Sequence, residues 1–208
     1  MAARIGVIGA GTFGINHLRA FRQLGHTGQA ELVALADLNE ETLRSRLEEF
    51  PIRGYTDYHE MLQKEELDGV AIATPDHLHR DITLHCARAG KHILVEKPLD
   101  MTVAGCQAMI DAARDARVLL QVDFHKRYDP EHERVHAAVR NGDLGNILYG
   151  YAHMEDRIEV PADWFPHWAG NSSPVWFLGV HFFDLVRWIL GCNAKRVFAT
   201  GQRQHLKS

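Results

Sequence analysis

Short apolar runs alternate with amphipathic segments from the N-terminus to Val122. The segments between the runs carry apolar residues at three-and-four spacing, which predicts helices. Strands that alternate with helices predict an α/β fold with a doubly wound parallel sheet, and residues 1–122 are assigned to one domain. The apolar runs have the length of buried strands and occupy Ile5 to Ile8, Glu31 to Ala36, Val70 to Ala73, Ile93 to Val95 and Val118 to Val122.

The pattern changes after Val122, where residues 123–208 predict a second domain that contains both helix and strand. Its predicted elements are, in order, a helix from Glu131 to Arg140, a strand from Ile147 to Met154, a helix from Trp176 to Leu190 and a strand from Arg196 to Thr200. An irregular stretch from Glu155 to Pro174 separates the first strand from the second helix. A connection of that length inside a domain is more often functional than not.

Composition narrows the class of protein. The chain of 208 residues has 46% hydrophobic residues, enough for a sizeable core, and a net charge of -4. That charge disfavours nucleic acids and anionic membranes as partners. Cys86, Cys106 and Cys192 are too widely spaced to suggest a disulfide framework or a thiolate metal site. The start of the chain lacks the pattern of a signal peptide, so we expect a soluble, cytoplasmic protein.

A glycine-rich turn follows the first strand at Gly9-Ala10-Gly11-Thr12-Phe13-Gly14. Glycines there allow a tight turn and close approach of the backbone to a ligand, and the N-terminus of the next helix attracts a pyrophosphate. The strand, turn and helix together predict dinucleotide binding by Gly9, Gly11, Thr12, Phe13 and Gly14. An ordinary strand-to-helix turn is the alternative.

The second strand ends in Asp37, twenty-three residues after Gly14. A carboxylate at this position can accept hydrogen bonds from the adenosine ribose hydroxyls and would repel a 2'-phosphate, which favours NAD over NADP. Alternatively, Asp37 or Asn39 caps the helix from Glu40 to Phe50.

Further polar residues follow the next strands, at the edge where ligands bind in doubly wound sheets. We therefore place Thr74, Pro75, His77, His79, Glu96 and Lys97 on the cofactor side. His77 and His79 lack neighbouring carboxylates or thiols at ligand spacing, so we predict no metal and interpret them as exposed residues. Lys97, beside a cationic nicotinamide, would have a lowered pKa suited to proton transfer. The alternative is an ion pair with Glu96.

The ordered set of these motifs resembles the Gfo/Idh/MocA family of oxidoreductases. It comprises the glycine turn, Asp37, Thr74-Pro75, Glu96-Lys97-Pro98 and the later segment from Gly179 to Asp184. The resemblance implies a Rossmann domain, a second domain with an open, mostly antiparallel sheet, and an active site between them. It also implies that Lys97 contacts nicotinamide and substrate, that His181 acts as acid or base, that His125 lies near the nicotinamide and that Arg127 reaches ligand or structure.

The second domain supplies the candidates for substrate binding. Aromatic faces and interleaved acids suit a sugar-like ring. We therefore expect the substrate to be bound by Asp156, Asp163, Trp164 and Trp168. The tryptophans alternatively seal the loop onto the sheet. Asp184, one helical turn after His181, can fix its tautomer and is a further substrate candidate. Alternatively, His181, Asp184 and Arg187 form a polar seam of a core helix.

Two features depart from the family pattern. Phe177 stands where polyol-oxidising members usually carry an aspartate, four residues before the histidine. The second domain is also short, so either the chain is a fragment of a longer protein or the exposed sheet edge is covered by another copy, and we expect a homodimer or homotetramer. The predicted function is an NAD-dependent oxidoreductase acting on a sugar, polyol or related alcohol or ketone. An NAD(H)-binding sensor without catalytic activity is the main alternative, and redox-neutral sugar chemistry is a third.

Overall fold

The computed structural model describes residues 1–164 and 172–202. Its first compact unit, Met1–Asp123, alternates strand and helix as the sequence predicts. The strands are β1 Ala3–Ile8, β2 Ala30–Ala36, β3 Arg53–Tyr55, β4 Gly69–Ile72, β5 His92–Val95 and β6 Leu120–Val122. The helices are α1 Gly14–His26, α2 Glu40–Glu49, α3 Tyr58–Lys64, α4 His79–Arg88 and α5 Val103–Ala116.

The six strands form one parallel sheet in the order β3-β2-β1-β4-β5-β6. This is the order of a Rossmann fold, in which the chain reverses its direction of progress across the sheet next to β1. The α/β prediction with a doubly wound parallel sheet is therefore confirmed for this unit. Strand β3 was not predicted, because its three residues, Arg53–Tyr55, contain no apolar run.

Two apolar clusters bury the sheet. One contains Ile72, Val95 and Met109, and the other contains Leu18 and Phe50 together with further strand residues. Side chains on successive strand positions point to opposite faces of a sheet, so a parallel sheet with helices on both faces requires a core on each. These cores hold the carboxyl ends of the strands in fixed register.

Helix starts are set by local hydrogen bonds. Asn39 caps α2 because its side chain accepts a bond of 2.8 Å from the Thr42 backbone N–H, and Thr102 caps α5 in the same way through Gly105. Asp37 is not the cap residue of α2. Its carboxylate accepts instead from the backbone N–H groups of Ala10 and of the cap residue, Asn39.

The second unit, Phe124–Ser208, is helical where it has regular structure among the described residues. A 3₁₀ turn at His125–Tyr128 leads into α6, Pro130–Asn141, and two π-helical turns, Val160–Trp164 and Val175–Gly179, precede α7, Val180–Leu190. In the described part of the chain, no helix has both the length and the apolar character needed to cross a membrane.

The predicted open antiparallel sheet is not confirmed. Residues Ile147 to Met154 and Arg196 to Thr200 form no strand, and the sheet found among the described residues is wholly parallel. Alternating residues form a strand only when a neighbouring strand satisfies their backbone groups. Several of their apolar side chains are exposed, with Leu148 at 94% and Phe198 at 92%.

α6 and α7 pack against each other through an aromatic contact. The rings of His136 and Trp188 are stacked, with centroids 3.9 Å apart and planes within 2° of parallel. His136 Nδ1 also lies 3.1 Å from the carbonyl oxygen of Trp188. This contact fixes the position of α7, which carries His181, relative to α6.

Candidate functional site

Four neighbouring parallel strands end at one edge of the sheet, and each is followed by residues that the sequence assigned to the cofactor. The glycine turn follows β1, Asp37 follows β2, Thr74-Pro75 follows β4 and Glu96-Lys97 follows β5. In doubly wound folds, this edge is where ligands bind, at the point where the chain reverses its progress across the sheet. The fold therefore brings together residues that lie up to about ninety positions apart in the sequence.

The glycines of the turn have different physical roles. Gly9 has a φ of 91°, and a Cβ on it would lie 2.6 Å from the carbonyl oxygen of Ala73. A Cβ on Gly14 would lie 2.1 Å from the carbonyl oxygen of Gly9, so the first turn of α1 packs directly on the backbone of the glycine turn. No described atom lies within 4 Å of a Cβ on Gly11, which is exposed on the turn. The backbone at Gly11 is therefore open to close approach from outside.

The Asp37 carboxylate is oriented by two backbone N–H groups. Ala10 donates to Oδ2 at 2.7 Å, and Asn39 donates to Oδ1 at 2.8 Å. Each carboxylate oxygen has two lone pairs, so both retain the capacity to accept a second hydrogen bond. A partly buried carboxylate held in this orientation is suited to bind vicinal hydroxyls.

The segment after β4 contributes one open polar atom and one buried ring. Within the described residues, the hydroxyl oxygen of Thr74 is buried and has no hydrogen-bond partner. His77 is exposed, as predicted for a loop residue. His79 was expected to be exposed but is fully buried. Its Nδ1 lies 2.7 Å from the carbonyl oxygen of Pro98 and its Nε2 lies 2.9 Å from that of Thr74, so both polar atoms of the ring have partners inside the protein.

The Glu96-Lys97-Pro98 segment after β5 is buried. Glu96 and Lys97 are each 6% exposed, and the Lys97–Pro98 peptide bond is cis. The Lys97 ammonium nitrogen lies 5.8 Å from the centroid of the Phe13 ring, at the outer range of a cation–π contact. A lysine and the cofactor turn are therefore neighbours at this edge.

The sequence reasoning missed two residues beside Glu96. His17 Nε2, from α1, lies 3.0 Å from Glu96 Oε1 and 3.8 Å from Asp123 Oδ2, which follows β6. A signal was present, because His17 occurs one helical turn before Phe21 on the face of α1 that packs on the sheet, where a polar residue is unusual.

The ligand atoms of His17, Glu96 and Asp123 all lie within 4.8 Å of one another, a spacing at which they could hold a metal ion. The 3.0 Å contact between His17 and Glu96 is equally that of a hydrogen bond, so the imidazole and the carboxylate satisfy each other directly. The sequence predicts no metal, and the geometry of these three side chains does not require one.

In the second unit, two candidates lie side by side. The rings of His125 and His181 are 4.8 Å apart in an edge-to-face arrangement. His125 is exposed, whereas His181 is only 5% exposed. His125, which the resemblance places near the nicotinamide, is thus held beside His181, to which it assigns acid–base chemistry.

Arg127 and Asp184 form a two-pronged ion pair. Arg127 Nε donates to Asp184 Oδ2 at 2.7 Å and Nη2 donates to Oδ1 at 2.5 Å. The hydrogen bond to Asp184 raises the pKa of Arg127 above its usual value. Both oxygens of Asp184 are engaged by Arg127, and Arg187 instead binds the side-chain oxygen of Asn193. The pair ties α7 to the 3₁₀ turn.

The remaining substrate candidates are less constrained. Asp156 is exposed in an irregular segment, and Asp163 and Trp164 are exposed in a π-helical turn, with Trp164 at 53%. Trp168 lies outside the described residues. Phe177, at the position where the resemblance implies an aspartate in polyol-oxidising members, lies in the π-helical turn that leads into α7.

Comparisons with known proteins agree with this arrangement. The family model described as an oxidoreductase family with an NAD-binding Rossmann fold, GFO_IDH_MocA, matches residues 3–124, and that of the GFO/IDH/MocA C-terminal domain matches residues 132–207. A myo-inositol 2-dehydrogenase from Thermotoga maritima is 31% identical over 95% of this chain and 58% of its own length. A D-apiose dehydrogenase from Paraburkholderia graminis is 35% identical over 94% of this chain and 52% of its own length.

Solved structures show the same fold. An oxidoreductase from Agrobacterium radiobacter in complex with NAD+, L-tartaric acid and magnesium has a TM-score of 0.85 at 25% identity, over 92% of this chain and 55% of that chain. The WlbA dehydrogenase from Bordetella pertussis, in complex with NADH and UDP-GlcNAcA, has a TM-score of 0.79 at 27% identity. The match covers 91% of this chain and 59% of that chain. The chain thus spans little more than half the length of these relatives. Since the two family models cover most of its residues in order, the chain belongs to the Gfo/Idh/MocA oxidoreductase family.

Proposed function

We propose that the protein is an NAD-dependent oxidoreductase that acts on a CH–OH group of a sugar, a polyol or a related ketone. The observation that carries this proposal is the convergence of the glycine turn, Asp37 and Lys97 at one edge of a Rossmann sheet. Two relatives, a myo-inositol 2-dehydrogenase and a D-apiose dehydrogenase, support the same class of substrate.

The residues at the sheet edge fit a dinucleotide. The open backbone at Gly11 suits a pyrophosphate beside the N-terminus of α1, and the Thr74 hydroxyl has no hydrogen-bond partner in the part of the chain that the structure describes. Asp37, held by Ala10 and Asn39, would bind the adenosine ribose hydroxyls and disfavour a 2'-phosphate, so we propose NAD over NADP. When bound, NAD supplies a two-electron hydride acceptor.

Proton transfer is assigned to side chains of this chain. An alcohol that loses hydride must also lose its hydroxyl proton, and a buried lysine or histidine is suited to accept it. We propose Lys97 and His181 for this role, with His125 beside His181. Arg127 and Asp184 hold α7 in place through their ion pair.

The test combines cofactor binding with turnover on a panel of sugars and polyols. Lys97→Ala should abolish NADH formation while the Kd for NAD stays nearly unchanged. His181→Ala should lower kcat by roughly 10²–10⁴, the usual loss when an acid–base group is removed. His26→Gln, an exposed histidine at the end of α1, is the matched control. A Lys97→Ala protein with full activity would contradict the mechanism.

A second candidate is an NAD(H)-binding sensor, which Phe177 favours because its ring cannot assist a hydroxyl or raise the basicity of His181. Calorimetry separates the two candidates. Tight NAD binding without hydride transfer from any member of the panel would favour the sensor.

We also propose that the exposed apolar residues of the second unit are covered in a homodimer or homotetramer, with Ile147 to Met154 as a sheet strand. Leu148, Tyr149 and Tyr151 are each at least 79% exposed, and apolar patches of this kind usually mark an interface. Light scattering during size-exclusion chromatography tests the assembly, and a monomer at all concentrations would contradict it.

A further inference from the structure

Two buried histidines contact the Glu96-Lys97-Pro98 segment, one at Glu96 and the other at Pro98, and neither has a role in the proposed hydride or proton transfer. His17 is 8% exposed and comes from α1, whereas His79 is fully buried and begins α4. Histidine is not a usual core residue, so two at one segment require a physical reason.

His79 joins the ends of two neighbouring strands. Its Nδ1 lies 2.7 Å from the carbonyl oxygen of Pro98, after β5, and its Nε2 lies 2.9 Å from that of Thr74, after β4. A carbonyl oxygen only accepts hydrogen bonds, so a ring nitrogen that carries hydrogen donates to the carbonyl oxygen that it faces. The ring thus holds the position of Pro98, the residue after Lys97, relative to the adjoining strand.

His17 acts on the other side of Lys97. Its Nε2 lies 3.0 Å from Glu96 Oε1, and Glu96 Oε2 accepts the backbone N–H of Lys97 at 3.3 Å. The contacts run from α1 through His17 and Glu96 to the backbone of Lys97. α1 is also the helix whose N-terminus follows the glycine turn, so one element positions both the cofactor turn and the lysine.

We propose that His17 and His79 are positioning residues for Lys97, which they hold in place through Glu96 and Pro98. The proposal rests on the proposed function for the role of Lys97 in catalysis. Small displacements of a reacting group reduce rates strongly, since a shift of about 1 Å can cost roughly a hundredfold. Loss of either histidine should therefore lower kcat more than it changes the affinity for NAD.

The kinetic test uses His17→Gln, His79→Gln and His79→Leu, with His26→Gln as the exposed control on α1. We expect His17→Gln and His79→Leu to lower kcat by about 10- to 100-fold with little change in the KM for NAD. His79→Gln should recover part of the loss because its amide retains N–H donors. Circular dichroism establishes that each variant is folded, and if His79→Leu does not fold, His17→Gln and His79→Gln decide the question.

A second measurement does not depend on turnover. Lysines are methylated with ¹³C-formaldehyde, and the Lys97 signal is assigned by its loss in Lys97→Arg. We expect its chemical shift and titration midpoint to change in His17→Gln and His79→Leu but not in His26→Gln. If the wild type oxidises no sugar or polyol, the proposed function fails while this signal still tests the positioning role.

Two results would overturn the proposal. One is a folded His17→Gln and a folded His79 variant with the Lys97 signal and kcat of the wild type. The other is loss of activity on chelation that a divalent cation restores, since His17, Glu96 and Asp123 would then act as a metal site.

Discussion

At the scale of single residues, the proposed preference for NAD over NADP depends on Asp37. Two backbone N–H groups hold its carboxylate, and the cap of α2 is made by Asn39 instead. The alternative in which Asn39 caps the helix is confirmed, and it is compatible with a cofactor role for Asp37, which stays a prediction. A fixed negative charge at this position is what would disfavour a 2'-phosphate.

Asp37→Asn should weaken NAD binding by about tenfold or more, because a hydrogen bond to a charged group contributes roughly 1.5–3 kcal/mol and 1.4 kcal/mol corresponds to tenfold. NADP should gain relative to NAD, since the repulsion is removed. Calorimetric titration with each cofactor measures both effects, and Glu40→Gln, an exposed acid on α2, is the control. An unchanged ratio of the two affinities would contradict the assignment.

Residues with a motif were predictable, whereas residues defined by burial were not. The glycine turn, Asp37 and Lys97 follow strands that the apolar pattern reveals, so their place at one edge follows from the fold. The burial of His79 depends on two carbonyl oxygens brought near it by other segments. Sequence reasoning treated it as exposed because a single histidine carries no such information.

At the scale of elements, the connection from β1 to α1 has two glycines with different surroundings. Gly14 is required by packing, since its Cβ would meet backbone at 2.1 Å. A Cβ on Gly11 would have no neighbour within 4 Å among the described residues. Substitutions at the two positions should therefore separate an effect on stability from an effect on the proposed cofactor binding.

Gly14→Ala should lower the free energy of unfolding by about 1–3 kcal/mol, the usual cost of overpacking. Gly11→Ala should change it by less than about 0.5 kcal/mol, as for a surface substitution, but should weaken NAD binding because the added methyl group fills the open space. Denaturant unfolding and NAD titration measure the pair. A Gly11→Ala protein that binds NAD like the wild type would show that this space is not the cofactor site.

At the scale of the whole molecule, the parallel sheet was predictable and the second unit only partly so. Buried parallel strands are continuous apolar runs, which the sequence displays directly. α6 and α7 were likewise expected. The strand from Ile147 to Met154 has an alternating pattern but no strand partner among the described residues, and such a pattern alone does not supply the backbone hydrogen bonds that a sheet needs.

The three cysteines differ in burial, and their reactivity therefore tests which parts of the chain lie in the core. Burial raises the pKa of the Cys86 thiol to about 12, whereas Cys192 is exposed. Because thiolates are the reactive form, native protein at mildly alkaline pH should be alkylated at Cys192 first and at Cys86 only after unfolding. The raised pKa also means that stability contributed by the neutral thiol is lost as pH rises from 9.0 towards about 12.

Peptide mapping by mass spectrometry measures the order of modification. Cys106, which is partly buried, should react at an intermediate rate. Equal labelling of Cys86 and Cys192 in the native protein would contradict the core described for the first unit.

The most direct test of the account is the transfer of deuterium from a sugar or polyol that is deuterated at its CH–OH carbons. The account predicts that mass spectrometry finds one deuterium in the nicotinamide of the NADH produced by the wild type, and none with NAD-saturated Lys97→Ala. NAD bound at full occupancy with no deuterium transferred from any member of the panel would contradict it.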